Sequence, residues 1–141
     1  MISGTAVCSS FKLELFQGLH NFSTDTFFMA LYQASAPLSP DSTTAYITDG
    51  EIVGPGYTAG GQALKNVQIL GPVIRTAYAT FDDPVWKSSS LTARGALIYN
   101  QSKQQRAVLI FDFVTDKTSV SGNFWVRFPP PGPTTALIRY Q

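Results

Sequence analysis

Any general-base chemistry that relies on an imidazole would have to use His20, the only histidine in the chain. A Ser-His-Asp or Cys-His arrangement needs that group beside a nucleophile. Cys8, the only cysteine, lies twelve residues upstream, and nothing in the spacing orients the pair. A lone histidine is more often a surface or loop residue than a base, so no catalytic role is expected of it. Carboxylates offer a second route. Asp82-Asp83, and Asp112 with Asp116, have the chemistry of an acid–base pair or of a hard-cation site. Both have plainer explanations: Asp82-Asp83-Pro84 opens a turn, and Asp116-Lys117 sits at a strand end where charge meets water. EF-hand spacing is missing, and one histidine with one cysteine does not build an ordinary transition-metal site. No metal and no cofactor are expected.

The glycine-rich stretch Gly54–Gly61 (GPGYTAGG) invites comparison with phosphate-binding loops. A Walker loop continues Gly-Lys-Ser/Thr into a helix, whereas here Gly61 is followed by Gln-Ala-Leu entering a strand. A dinucleotide fingerprint fails because no βαβ unit surrounds it. These glycines are expected to allow left-handed turns and close backbone approach. The sequons Asn21-Phe22-Ser23 and Asn100-Gln101-Ser102 read as chance matches.

Composition narrows the classes further. The 141 residues include ten basic and nine acidic side chains, so only 13% are charged, against roughly 25% in ordinary soluble domains. Ten Phe, six Tyr and two Trp nearly equal the charges in number. A hydrophobic fraction of 44% with a net charge of +1 argues against disorder. The basic residues are scattered from Lys12 to Arg139, which excludes the basic stripe of a nucleic-acid binder. No apolar run is long enough to span a bilayer, and Met1–Ser10 lacks the features of a secretory signal. A weakly charged, aromatic-rich domain of this size needs no disulfide and has a surface suited to contact with other protein.

The elements that would position any site are mainly strands. Ser9–Gly18 (SSFKLELFQG) predicts a short helix, with Ser9 or Ser10 as cap, Gly18 as a left-handed stop, and Phe11, Leu15 and Leu19 as the apolar stripe. A short strand beginning near Phe11 is the competing assignment. Thr26–Gln33 is apolar on both faces, as a doubly covered strand would be. Ala34–Thr44 reads as a loop, and Tyr46–Val53 has room for a short strand. Gln62–Leu70 and Val73–Phe81 are separated by Gly71-Pro72 at hairpin distance. Leu91–Asn100 and Arg106–Val114 form a second hairpin and look central. Asn123–Phe128 and Ala136–Tyr140 complete the set, flanking the extended tract Pro129–Pro133. Seven to eight short strands with one N-terminal helix give an all-β, single-domain β-sandwich over residues 1–141, jelly-roll or Ig-like.

Four stretches carry a resemblance: Phe11–Tyr32 (FKLELFQGLHNFSTDTFFMALY), Gly56–Leu64 (GYTAGGQAL), Trp86–Phe113 (WKSSSLTARGALIYNQSKQQRAVLIFDF) and Gly122–Pro129 (GNFWVRFP). Together they are similar to a family of small virion structural proteins of tailed bacteriophages, in the right order and over more than half the chain. The family looks like a short helix leading to Ala-Leu-Tyr, a Gly-Tyr-Thr-Ala-Gly-Gly turn, an Ala-Arg-Gly-Ala strand and a closing β segment. The tract Pro129–Pro133 is longer than the family's usual ending. The resemblance implies a protein of the phage particle, made in the host cytoplasm and located on the capsid surface or at head and tail assembly. It carries over no catalytic motif.

Expected partners are therefore a major capsid protein, other virion proteins and further copies of the chain, with neither nucleic acid nor membrane among them. A cement or decoration protein holds its place by buried contact rather than a reactive cleft. Loops Ala34–Thr44 and Gly54–Gly61, the proline tract and the arm Met1–Ser10 are the candidate contact segments. Pro37, Tyr57, Trp86 and Pro130 are the candidate interface residues. A tail, adaptor or fibre-associated subunit is the nearest alternative. A carbohydrate-binding sandwich for host attachment is a further one, with Trp86, Trp125, Tyr57 and Tyr99 as candidate stacking rings.

Overall fold

The structure, a computed structural model, describes residues 1–132, 135, 136 and 138–140. Pro133 of the proline tract and Leu137 of the last expected strand lie outside the described residues. In chain order the elements are β1 (Ala6–Val7), α1 (Ser9–Phe16), β2 (Phe27–Tyr32), β3 (Gln62–Ala63), β4 (Gln68–Val73), β5 (Thr76–Thr80), β6 (Val85–Ser89), β7 (Thr92–Asn100), β8 (Arg106–Thr118), β9 (Gly122–Trp125) and β10 (Ile138–Tyr140). They form three antiparallel sheets in the orders β1-β8-β7-β2-β3, β10-β5-β4 and β6-β9. The expected all-β sandwich with one early helix is what the chain forms.

The large sheet is covered on both faces, which is why β2 and β7 read as continuous apolar runs. Phe27, Met29, Ile98 and Leu109 share one face by register. Ala79 of β5 and Ile138 of β10 close on Ile98 and Leu109 around a small void. Phe81 adds a ring against Phe27 at 5.8 Å. The opposite face, bearing Tyr32, Leu97 and Tyr99, is covered by the long loop between β2 and β3. There Tyr46 stacks on Tyr99 at 4.9 Å, and the Tyr32 hydroxyl donates to Ile47 O at 2.6 Å.

Several sequence expectations shift by a few residues. Cys8, not Ser9 or Ser10, is the N-cap of α1, and it makes no side-chain cap bond. Ser9 N–H instead donates to Pro40 O, and the Ser10 hydroxyl to Thr43 O. Gly18 does stop the helix at φ 71°. The buried helix face carries Phe11 and Glu14, not Phe11 and Leu15, because Glu14 has buried partners. Asn66, at φ 56°, lies in the break that divides the Gln62–Leu70 run into β3 and β4. The β4–β5 turn falls at Ile74-Arg75, with φ 50° and 58°, a step beyond Gly71-Pro72. Positive φ at both central residues gives the twist that a tight hairpin needs. Tyr46–Val53 contributes only isolated bridges, Tyr32 to Glu51 and Ala45 to Arg106.

Met1–Ser10, expected as a contact arm, is laid against its own chain. Ile2 is buried, β1 pairs with β8, and Cys8 is fully buried. Gly95 makes room for this: a Cβ there would stand 2.6 Å from Ile2 Cδ1 and from Phe111 O.

Candidate functional site

The buried charges gather where α1 meets the large sheet. Glu14 points inward from the helix, and its Oε2 accepts from Arg106 Nε at 2.8 Å and Nη2 at 2.5 Å. His20, two residues beyond the helix stop, donates from Nε2 to Glu14 Oε1 at 2.8 Å. Its tautomer follows from Asn100. That side chain's Oδ1 accepts from Ser102 N–H, which turns its amide nitrogen toward His20 Nδ1 at 2.9 Å and Asp25 Oδ2 at 2.8 Å. Nδ1 is therefore an acceptor, and the proton sits on Nε2. Lys103 closes the array on both Asp25 oxygens. Burial works to raise the Asp25 carboxyl, but bonds from Lys103 and Asn100 outweigh it and hold it below its ordinary value.

Each of these side chains is engaged by another, so the array fastens α1 and the loop after it to β7 and β8. The side chains of His20 and Glu14 are 0% and 7% exposed, which keeps both from solvent. Cys8 belongs to the same region. Burial, with the charge of Glu14 added, pushes its thiol up to about 12, far from the thiolate a nucleophile needs.

A second carboxylate ties down the glycine-rich loop. Glu51 accepts from the Tyr46 and Tyr57 hydroxyls, both at 2.5 Å, and from Gly60 N–H at 2.7 Å. Tyr57 also accepts from Leu31 N–H at 3.0 Å, and Tyr99 donates to Gly60 O at 2.6 Å. Burial, reinforced by Glu51, raises both Tyr46 and Tyr57 above their ordinary range and takes Tyr99 to about 12. Gly61 stands against β2 where any Cβ would lie 1.8 Å from Met29 O, so close approach does require glycine there.

Of the four expected interface residues, Pro37 and Pro130 are exposed, in separate loops. Tyr57 and Trp86 are brought together, with ring centroids 6.2 Å apart, but inside the fold. Trp86 is 4% exposed and Tyr57 is half-buried with its hydroxyl engaged, so neither offers the open ring an interface needs. The stacking candidates divide similarly: Tyr99 is buried, while Trp125 is exposed, with the Arg127 guanidinium 4.6 Å from its ring.

A large open concavity lies elsewhere, between α1 and the β10-β5-β4 sheet. It is a groove of about 600 Å³ lined by Phe11, Leu15 and Phe16 from the helix and by Ile69, Ala77 and Tyr140 from the strands. Phe16 and Tyr140 meet edge-on across it at 6.2 Å. Lys12 and Arg139 are its charged residues. Of its lining Phe16, Ile69 and Tyr140 are exposed; Leu13 on the helix, Val73 and Ile74 at the hairpin tip and every residue of β4 are exposed too. Sequence reasoning missed this surface because apolar residues on a short helix and strand look like core. The available signal was their excess, with apolar positions on every side of α1.

Among the described residues no group of three or more His, Cys, Asp or Glu is placed to hold a metal ion. No helix among them is long and apolar enough to cross a membrane. No family model, curated protein or solved structure matches the chain.

Proposed function

We propose that the chain is a non-enzymatic structural subunit of a tailed-phage particle, most readily a capsid cement or decoration protein that bridges neighbouring shell subunits. The observation that carries this reading is the apolar surface exposed on α1 and the β4–β5 hairpin. Large side chains such as Phe16, at 78% exposure, and Ile74, at 76%, stand in water, and Phe16 shares a groove with the exposed Ile69 and Tyr140. Contiguous apolar patches on a monomer mark surfaces that another protein covers. The ionisable groups support the same view, since the buried Glu14 and His20 and the half-buried Glu51 are all engaged in holding loops and helix to the sheet. A rigid sandwich whose exposed hairpin meets a neighbour would raise the cost of opening a shell by burying area at each contact.

The test compares particles assembled with and without the protein. Shells lacking it are expected to assemble yet rupture at lower temperature. Equal rupture temperatures, with copies counted in a small multiple of the tail symmetry, would move the protein to a tail or fibre position.

A further inference from the structure

The groove between α1 and the β10-β5-β4 sheet has a chemical character of its own. Its walls are apolar, while its two charged residues, Lys12 and Arg139, are both cationic. Among the described residues no Asp or Glu lines it, and neither cation takes part in an ion pair. Glu14, the acid nearest to Lys12 in sequence, is buried and engaged by Arg106 and His20, and it does not line the groove. Among the described residues the groove thus presents an apolar trough whose edge carries two cations that no acid offsets, Arg139 donating from Nη1 only to Ala136 O at 2.6 Å.

From this charge arrangement we infer that the groove is the docking site for a peptide segment of a neighbouring particle subunit, one that carries apolar side chains together with Asp or Glu. The inference rests on the structural role proposed above and specifies the chemistry of its partner. Apolar side chains of the segment enter between Leu15 and Ile69, and its carboxylates meet Lys12 and Arg139. Charge complementarity of this kind selects partners and register, while apolar burial supplies affinity. A peptide suits the site better than a small molecule because Phe16, Ile69 and Tyr140 of its lining are themselves exposed apolar surface. A compound confined to 600 Å³ leaves that surface wet.

The experiment pans a displayed library of random dodecapeptides against the full chain, then measures synthetic peptides by fluorescence anisotropy. The expected winners combine apolar residues with Asp or Glu and bind more weakly as salt is raised. Their affinity should fall about five- to tenfold for the Lys12→Glu/Arg139→Glu double variant, the size expected of two rim ion pairs. Exchanging the peptide's acids for lysines should restore binding to that variant, an outcome that a merely unfolded protein does not give. Ile69→Arg, at an exposed position, should abolish binding while leaving the thermal melt unchanged. Winners without acids, affinity indifferent to both variants, no enriched peptide, or binding of dodecanoate alone would each overturn the inference. Uptake onto particles lacking the protein separates it from the reading beneath it. Equal uptake of wild type and double variant removes the groove but keeps the virion role, whereas uptake of neither removes both.

Discussion

Arg106 and Glu14, 92 residues apart, form a two-pronged contact in which the guanidinium Nε and Nη2 both donate to Oε2 of the carboxylate. The pair joins the first residue of β8 to the middle of α1, and Glu14 is nearly buried while the arginine is about one-third exposed. Removing the arginine leaves the buried carboxylate without that partner, and removing the glutamate leaves a partly exposed guanidinium without its counter-ion. Glu14→Gln and Arg106→Met are each expected to destabilise the fold by about 2–3 kcal/mol, the exposed side of the arginine moderating the cost. A double-mutant cycle on urea unfolding checks this. Additive effects of the two substitutions would show that the contact contributes nothing of its own.

Asp25 gives the fold a defined acid sensitivity. Its carboxyl is held below its ordinary value, so its ionised form is bound more tightly by the folded chain than by the unfolded one. The resulting stability is fully present above about pH 4, the ordinary aspartate range, and is lost as pH falls through the lowered folded value. Asp25→Asn should therefore cost on the order of 1–2 kcal/mol at pH 7 and visibly less at pH 3. Urea midpoints at the two pH values decide it. A gap of equal size at both would mean that the Lys103 contact owes nothing to the aspartate charge.

What the sequence disclosed follows from how local each signal is. Phe27–Tyr32 and Thr92–Asn100 were legible because burial on both faces writes an unbroken apolar run into the chain. The helix was legible from its Gly18 stop. Burial of Trp86 was not, since it depends on Phe124 of a strand 38 residues later and on Tyr57 of a loop. The Glu14–His20–Asn100–Asp25 array was equally hidden, because its members come from a helix, a loop and a central strand. His20 and Cys8 are each near Glu14, but as members of a fastening, a role that spacing alone does not encode. The apolar groove joins α1 to β4 and β5 in the middle of the chain and to β10 at its far end, and only the folded sheet brings them together.

Trp86 and Tyr57 test the distinction between interface and core directly. Trp86→Ala should lower stability by about 3–5 kcal/mol, the range for deleting a buried large aromatic. Tyr57→Phe should cost about 1–2 kcal/mol, because it leaves Glu51 with one donor fewer and Leu31 N–H without its acceptor. If Trp86→Ala melts like wild type but no longer joins particles, the ring is an interface residue after all.

Cys8 supplies a final check on how tightly the amino-terminal segment is bound. The residue is fully buried, its N–H donates to Val108 O at 2.8 Å, and its thiol is pushed up to about 12. A thiol in that state is almost wholly protonated at pH 8, and attack on a disulfide reagent requires the thiolate. The native protein should therefore resist labelling by an aromatic disulfide reagent at pH 8 and react stoichiometrically once urea unfolds it. Deleting Met1–Gly4 removes Ile2 from its contact with Gly95, and it should speed labelling by loosening β1 from β8. Rapid labelling of the intact native chain would show that Met1–Ser10 leaves its own fold in solution, restoring it as an arm free to reach a neighbour.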